Sequence, residues 1–459
     1  MAFWHTEHLP PTRIALVDDL GQRLSYGELT GRVQALAQNI PPRALLFIFC
    51  KNQCETIVGY LACLKQNAVA LLLDDALDAG QVAALIETYR PSLLWRADGE
   101  HYRLHATGLT PPLMDDALAL LMTTSGSTGS PKLVRLSQRN LTSNAASIAR
   151  YLGIDRNERG LVSLPVNYVY GLSIVNSHLS AGATLLLTRA SVMQRELWQF
   201  VRDERASSFA GVPYTWEMLK KLRFMRMDLP DLRTLTQAGG KLAPALQQEF
   251  TDFAEQHGKR FIVMYGAAEA TSRMAWLDPD YAQRKNGSIG QPIPGGEFLL
   301  LDTDGQPITT PDTEGELLYR GENVALGYAQ CADDLALGDT FAGTLHTGDI
   351  ARVDSEGFYT IVGRKKRFLK IFGNRVGLDE MEALLKTAFP GIGCACDGRD
   401  ELLCIFITDA SAVQAVKQYA AEITRLHHSA FRVITLDDIP KNAAGKTLYQ
   451  RLKDYVPAV

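Results

Sequence analysis

The sequence predicts an α/β fold of more than one domain, and three observations carry that prediction. Short apolar runs of strand length alternate with amphipathic stretches of helical period, the pattern of sheets covered by helices. The chain has 459 residues, more than one ordinary domain holds. Near residue 295 the pattern changes to short strands separated by turns ("DTDG", "DSEG"), and near 365 it changes again. The expected architecture is a large N-terminal domain of layered α/β subdomains plus a β-rich subdomain (1–364), followed by a small α+β domain (365–459).

The elements follow in order. "ALALLMT" (117–123) reads as a buried strand and "KLVRLS" (132–137) as a second. A helix then starts at an N-cap on Ser137, buries Leu141, Ala145, Ile148 and Leu152 on one face, and stops at Gly153. "LRTLT" (232–236) and "RFIV" (260–263) are strands, each leading into a glycine-containing segment, "QAGGKL" (237–242) and "MYGAAEA" (264–270). The basic stretch "GRKKRFLK" (363–370) precedes a tail that reads helix, strand hairpin, helix, strand, and a hinge is expected there.

Composition narrows the function classes. The chain is 46% hydrophobic and 21% charged, an ordinary globular mixture, and its net charge of −4 gives no electrostatic case for nucleic acid. The longest apolar runs, such as "ALLFIFC" (44–50), are too short for a membrane span, and the start lacks a basic region followed by an apolar one. Seven scattered cysteines without a CxxC pair, and nine histidines without a metal-binding spacing, fit reduced thiols in a cytoplasmic protein.

Between the first two strands lies a loop of five hydroxyl residues, two glycines, one proline and one lysine: Thr124, Ser125, Gly126, Ser127, Thr128, Gly129, Ser130, Pro131 and Lys132. Hydroxyls and exposed N–H groups on a glycine-bent backbone suit a polyanion, and a loop at strand ends lies where α/β proteins bind ligands. The P-loop of nucleotide kinases is excluded, because that motif ends Gly-Lys-Ser/Thr. Here Pro131 has no N–H and Leu133 has no hydroxyl. Alone, such a loop is as readily a surface hairpin.

Five further segments, taken in order, change that reading: "QAGGKL", "MYGAAEA", "GELLYRGENVALGY" (315–328), the run "LHTGDIARVDSEGFYTIVGRKKRFLKIFGNRV" (345–376), and "IPKNAAGKTLYQRL" (439–452). Over essentially its whole length the chain resembles the adenylate-forming (AMP-binding) enzyme superfamily of acyl-CoA synthetases, peptide-synthetase adenylation domains and luciferases. The resemblance implies that ATP activates a carboxylic acid as an acyl-adenylate. A phosphopantetheine thiol, on CoA or on a separate carrier protein, then displaces AMP. Chemistry that pushes an anion onto a polyanion needs charge neutralisation and alignment.

By the resemblance, Thr124–Gly129 with Lys132 clamps the β- and γ-phosphates, and Glu269 is the magnesium carboxylate. Gly239, Gly240, Tyr265 and Gly266 wall the adenine slot, and Asp349 and Arg364 hold the ribose. Lys446 is the lysine of a mobile C-terminal domain that reaches the carboxylate and α-phosphate, and Lys366 marks the hinge. The acyl pocket falls to Tyr168, Val169, Tyr214, Ala238 and Ala267. The basic run 363–370 also admits a nucleic-acid reading, set aside on the net charge.

Three departures bear on function. Ala268 stands where the family usually has a threonine whose hydroxyl helps hold the α-phosphate, which makes a non-catalytic binding relative conceivable. Tyr168 stands where acyl-CoA synthetases often carry histidine. Val169 stands where amino-acid-activating relatives place an aspartate, and residues 165–180 contain no acidic side chain. An ammonium left unpaired there is costly, so an apolar or aryl acid is expected rather than an amino acid, with Glu217 as the only nearby acid to argue otherwise. Arg273 reads as structural, with a second acidic group on the substrate as the alternative. The short flanks predict a trimmed, stand-alone ligase. Transfer of the acyl group to an amine is the rival within enzymes.

Overall fold

The computed structural model describes residues 2–99, 101–123, 132–365, 367–371, 374–424, 426–442, 445 and 447–456, with only the backbone of 368, 370, 374 and 375. Its described residues divide into two compact units: those within 2–123, 132–297 and 319–345, and those within 298–318 and 346–456. The expected domain boundary between residues 364 and 365 falls inside the second of these units.

The first unit is built on two large sheets. One has seven strands in the order Gly327–Ala329, Leu133–Ser137, Leu118–Thr123, Val69–Asp74, Leu45–Cys50, Leu93–Asp98, His101–Ala106. Its four inner strands from Leu118–Thr123 to Leu93–Asp98 run parallel, and antiparallel strands close both edges. Runs such as Leu45–Cys50, buried at every residue, are what a parallel sheet covered on both faces demands. The other sheet has nine strands. At its centre Ser208–Gly211, Thr234–Gln237 and Arg260–Tyr265 lie side by side and parallel.

The expected strand–loop–strand–helix unit is present. Thr123 pairs with Leu133 across the hairpin, so the chain leaves and re-enters the sheet at adjacent positions around the polar loop. Ser137 caps helix Gln138–Leu152 through a reciprocal capping box with Asn140, and Gly153 ends it at φ +65°. The predicted inward face, Leu141, Ala145, Ile148 and Leu152, is buried.

In the second unit, the predicted β-rich region lies in a four-stranded sheet ordered Gly296–Leu301, Gly315–Gly321, Thr344–Val353, Tyr359–Arg364, whose outermost residues at 296–297, 319–321 and 344–345 belong to the first unit. Farther along, helices Leu378–Ala388 and Val413–Thr424 pack on a three-stranded sheet, Cys394–Arg399, Leu402–Ile407, Phe431–Thr435. This is the predicted order of helix, hairpin, helix and strand, preceded by a small hairpin, Phe368–Ile371 with Asn374–Gly377. Six of the seven cysteines are buried free thiols and Cys331 is exposed. Among the described residues no helix is long and apolar enough to cross a membrane, and no group of histidines, cysteines and acids is placed to hold a metal.

Candidate active site

Parallel strands release their loops at one end, so the register of the nine-stranded sheet decides which motifs meet. Gln237 is aligned with Val263 and with Gly211. The segments Ala238–Gly240 and Tyr265–Gly266 therefore leave the sheet as neighbours, at the carboxyl ends where α/β proteins place ligands. Both glycine segments have steric reasons for lacking a side chain. Gly239 has φ +85°, and a Cβ there would sit 2.6 Å from the Tyr168 hydroxyl. At Gly266 a Cβ would sit 1.7 Å from the Ser272 carbonyl oxygen. The backbone after Gly266 thus folds back on itself and carries the short helical turn Ala268–Ala270, with Thr271 at φ +64°.

That turn presents Glu269. The Tyr328 hydroxyl donates to Glu269 Oε1 at 2.8 Å, and Lys132 Nζ sits 3.3 Å from the centroid of the same ring. One phenol therefore joins the lysine that ends the polar loop to the acid of "MYGAAEA". Its backbone is fixed by pairing with Val134 and by Arg135, whose Nε donates to the Tyr328 carbonyl at 3.0 Å. Arg135 is fully buried and also donates to the carbonyls of Leu326, Leu337 and Gly338. The Glu269 carbonyl accepts from Ala325 N–H at 2.9 Å. Burial and the neighbouring Glu269 charge push the Tyr328 phenol well above its ordinary range, so it is a neutral donor. Tyr328 lies within a quoted motif, yet nothing local marks it: its role comes from pairing with a strand almost 200 residues earlier.

In the second unit the predicted ribose pair are cross-strand partners. Asp349 faces Arg364 in the register, and Arg364 Nε lies 2.9 Å from Asp349 Oδ1. The Asp349 side chain is 7% exposed and that of Arg364 64%. Gly348, at φ +71°, makes the turn of backbone before the acid.

The flanks of Lys446 are held by the bridge between Lys441 and Thr447 and by Leu448 N–H donating to the Pro440 carbonyl at 2.8 Å. Tyr449 beyond them lies under Arg367 (3.7 Å, cation to ring) and donates to Glu382 at 3.1 Å. Lys446 and Lys366 lie outside the described residues, as do Thr124, Ser125, Gly126, Ser127, Thr128 and Gly129.

The acyl-pocket candidates divide. Tyr168 is half-buried against Gly239, its ring edge-to-face with Tyr170 at 6.4 Å and 74°, and burial lifts its phenol to about 12. Ala238 is buried and Ala267 half-buried on the two neighbouring loops. Val169 begins helix Val169–Ser180 and turns into the seam with helix Gln138–Leu152, beside Leu141 and Ala145. Tyr214 is 45% exposed on helix Pro213–Lys221, and Glu217 on the same helix is exposed, with Trp216 and Leu219 facing inward.

Comparison with known proteins gives the family of the chain. The family described as "AMP-binding enzyme" matches residues 3–329. The 2-succinylbenzoate–CoA ligase of Bacillus subtilis (strain 168) is 25% identical over 484 residues, spanning 97% of this chain and 96% of the relative. A feruloyl-CoA synthase of Amycolatopsis sp is 30% identical over 407 residues, 82% of this chain and 81% of the relative. The solved O-succinylbenzoate coenzyme A synthetase from Bacillus subtilis in complex with AMP has the same fold, with a TM-score of 0.82 over 100% of this chain and 99% of that one at 23% identity. The chain belongs to the AMP-binding enzyme family and is an ATP-dependent acid–thiol ligase, forming an acyl-adenylate and then a thioester.

Proposed function

We propose that this ligase activates an aryl carboxylic acid and transfers it to the thiol of CoA. The observation that carries the site assignment is the Lys132–Tyr328–Glu269 contact, which joins the end of the polar loop to the expected metal carboxylate. In this reading the hydroxyls and N–H groups of 124–129 hold the leaving pyrophosphate, with Lys132 as a point charge on it. Tyr265, Gly266, Gly239 and Gly240 receive the adenine, and Asp349 with Arg364 the ribose. Lys446 offsets the charge that develops as a carboxylate oxygen bonds to the α-phosphorus and pyrophosphate departs. Residues 1–364 and 365–459 are the two functional domains, with Lys366 at the hinge.

Glu269 fits a magnesium ion: it is a half-buried hard oxygen donor whose Oε1 already accepts from a neutral phenol, and Mg²⁺ needs only one or two protein carboxylates beside phosphate oxygens. Bound there, the ion would neutralise charge on the phosphates.

The acid is aryl because the wall at Tyr168 and Gly239 is aromatic and flat. An α-amino acid is disfavoured because Glu217 points to solvent and residues 165–180 offer no carboxylate. The two named relatives act on 2-succinylbenzoate and on a feruloyl acid, both aryl. With free thiols at all seven cysteines, a reducing cytoplasm suits the chain.

The test is exchange of labelled pyrophosphate into ATP over a panel of carboxylic acids with Mg²⁺, followed by mass spectrometry with CoA or holo-carrier proteins as acceptor. Acid-dependent exchange and an acyl-CoA product are expected. ATP binding without exchange for any acid would overturn the catalytic reading, and a product only on a carrier would replace CoA as acceptor.

A further inference from the structure

Four residues beyond Glu269 the chain buries a cation that has no anion beside it among the described residues. Arg273 is 2% exposed. Its backbone is pinned by two amides, Asn144 Nδ2 at 2.9 Å and Asn323 Nδ2 at 3.2 Å, both donating to its carbonyl. Among the described residues its guanidinium meets weak acceptors alone. Nη1 lies 3.3 Å from the Tyr151 hydroxyl and 3.3 Å from Met264 Sδ, and the group sits 5.0 Å from the Tyr170 ring centroid. Nε is buried without a hydrogen-bond partner. Among the described residues no carboxylate lies within the 4.0 Å of an ion pair.

Beside it is a cavity of about 20 Å³, room for one ordered water. Its wall is largely apolar, with Leu152, Leu161, Ile174 and Phe209 among its residues, and His178, Ser208, Thr234 and Thr236 add polar groups. The one acid on that wall, Glu158, is engaged by Ser207 and by Arg233 at 3.1 Å. His178 donates from Nδ1 to the Ile174 carbonyl at 2.8 Å, which leaves Nε2 as an acceptor 3.5 Å from Ser208 Oγ. A second cation, Arg260, also lines the cavity and donates to Thr234 Oγ1 at 2.8 Å.

A buried guanidinium without a counter-ion is expensive to keep unless a ligand completes it. The position says which ligand. Gly239 touches Tyr168, Tyr168 packs on Tyr170, and Arg273 lies over Tyr170. Arg273 is thus two aromatic rings deeper than the proposed nucleotide-side wall. We propose that Arg273 receives a second anionic group on the acid, so that the preferred substrates are aryl acids bearing a further carboxylate. This rests on the aryl-acid ligase reading above. The carboxylate is larger than the present cavity, and the guanidinium, held by a ring face and two weak acceptors, loses little by turning toward it.

The experiment compares specificity constants for pyrophosphate exchange within matched pairs that differ by one carboxylate: benzoate with isophthalate, phenylpropionate with carboxyphenylpropionate, and 4-oxo-4-phenylbutanoate with 2-succinylbenzoate. In the unaltered enzyme at least one pair should favour the dianion by about 100-fold or more, as expected for a site built to pair a group that the analogue lacks. In Arg273→Gln that ratio should collapse to within about fivefold, chiefly through KM, and Arg273→Lys should restore part of it. If every pair favours the monoacid, or if Arg273→Gln folds and keeps the ratio, the proposal is overturned. The ratios in the unaltered enzyme decide the matter even where the variant fails to fold. Absence of exchange with all six acids would instead count against the ligase reading beneath it.

Discussion

Glu269 and Arg273 are four residues apart, and the fold treats their charges oppositely. Glu269 is half-buried, hydrogen-bonded by Tyr328, and shares that ring with Lys132. Arg273 is more deeply buried, lies over the ring of Tyr170, and has no carboxylate within reach among the described residues. Both clusters use a tyrosine as go-between. In the first, a neutral phenol donates its hydroxyl to the acid and offers its ring face to the lysine, so one side chain positions both charges. In the second, the ring face compensates the cation only in part, by roughly 0.5–2 kcal/mol. A charge that is positioned and a charge that is left wanting are different instructions: in the reading proposed above, the first serves adenylation and the second discriminates between substrates.

The comparison can be broken most sharply at Lys446. If charge aimed at the reacting phosphorus outweighs both clusters, Lys446→Ala should reduce adenylation by at least about 10³-fold, ~4 kcal/mol of barrier. Thioester formation from a supplied acyl-adenylate should be largely spared, and rapid-quench measurement of each half-reaction separates the two. Equal loss in both would contradict a lysine that serves the first step alone.

Acid should weaken the Arg273 cluster next. Burial pushes His178 down to about 4 from an ordinary 6.5, so the unfolded chain takes up a proton that the folded chain refuses. Stability from this group is complete above pH 6.5 and is lost as pH falls toward 4, up to ~3 kcal/mol. Denaturant unfolding at pH 7 and pH 5 should show the loss, and His178→Gln should flatten that slope.

A smaller effect tests the Glu269 cluster. Tyr328→Phe keeps the ring under Lys132 and removes the hydroxyl from Glu269. A hydrogen bond to a charged group contributes ~1.5–3 kcal/mol, so the Mg²⁺ concentration for half-maximal exchange should rise about tenfold or more. Tyr328→Leu, which also removes the ring, should weaken ATP binding as well. An unchanged Mg²⁺ requirement in Tyr328→Phe would mean that Tyr328 does not position the acid.

The smallest change is expected at Ala268, which is half-buried on the turn that presents Glu269. Ala268→Thr should leave adenylation the same or raise it severalfold. A loss beyond tenfold, ~1.4 kcal/mol, would show that the small side chain serves the acid pocket instead.

How much of this was legible beforehand depends on the range of the interaction. The strand pair around the polar loop, the Ser137 cap, the Gly153 stop and the order of elements in the tail follow from local pattern, because caps, turns and burial period act over a few residues. The ordered motifs identified the reaction class for a related reason: each keeps its residue types at a short fixed spacing. Glu217, by contrast, takes its direction from packing: burial of Trp216 and Leu219 on the same helix turns it outward.

The sequence by itself determined the α/β class, the hydroxyl- and glycine-rich composition of the loop, the family, and the lack of an acidic side chain at 165–180. Only the tertiary structure decided that Tyr328 touches both Lys132 and Glu269, that Asp349 and Arg364 are register partners, and that Arg273 stands over Tyr170 with no anion among the described residues. Residue type and short spacing are written along the chain. Whether a buried charge finds a partner is set by which distant strands pair and in what register, and no local window carries that information.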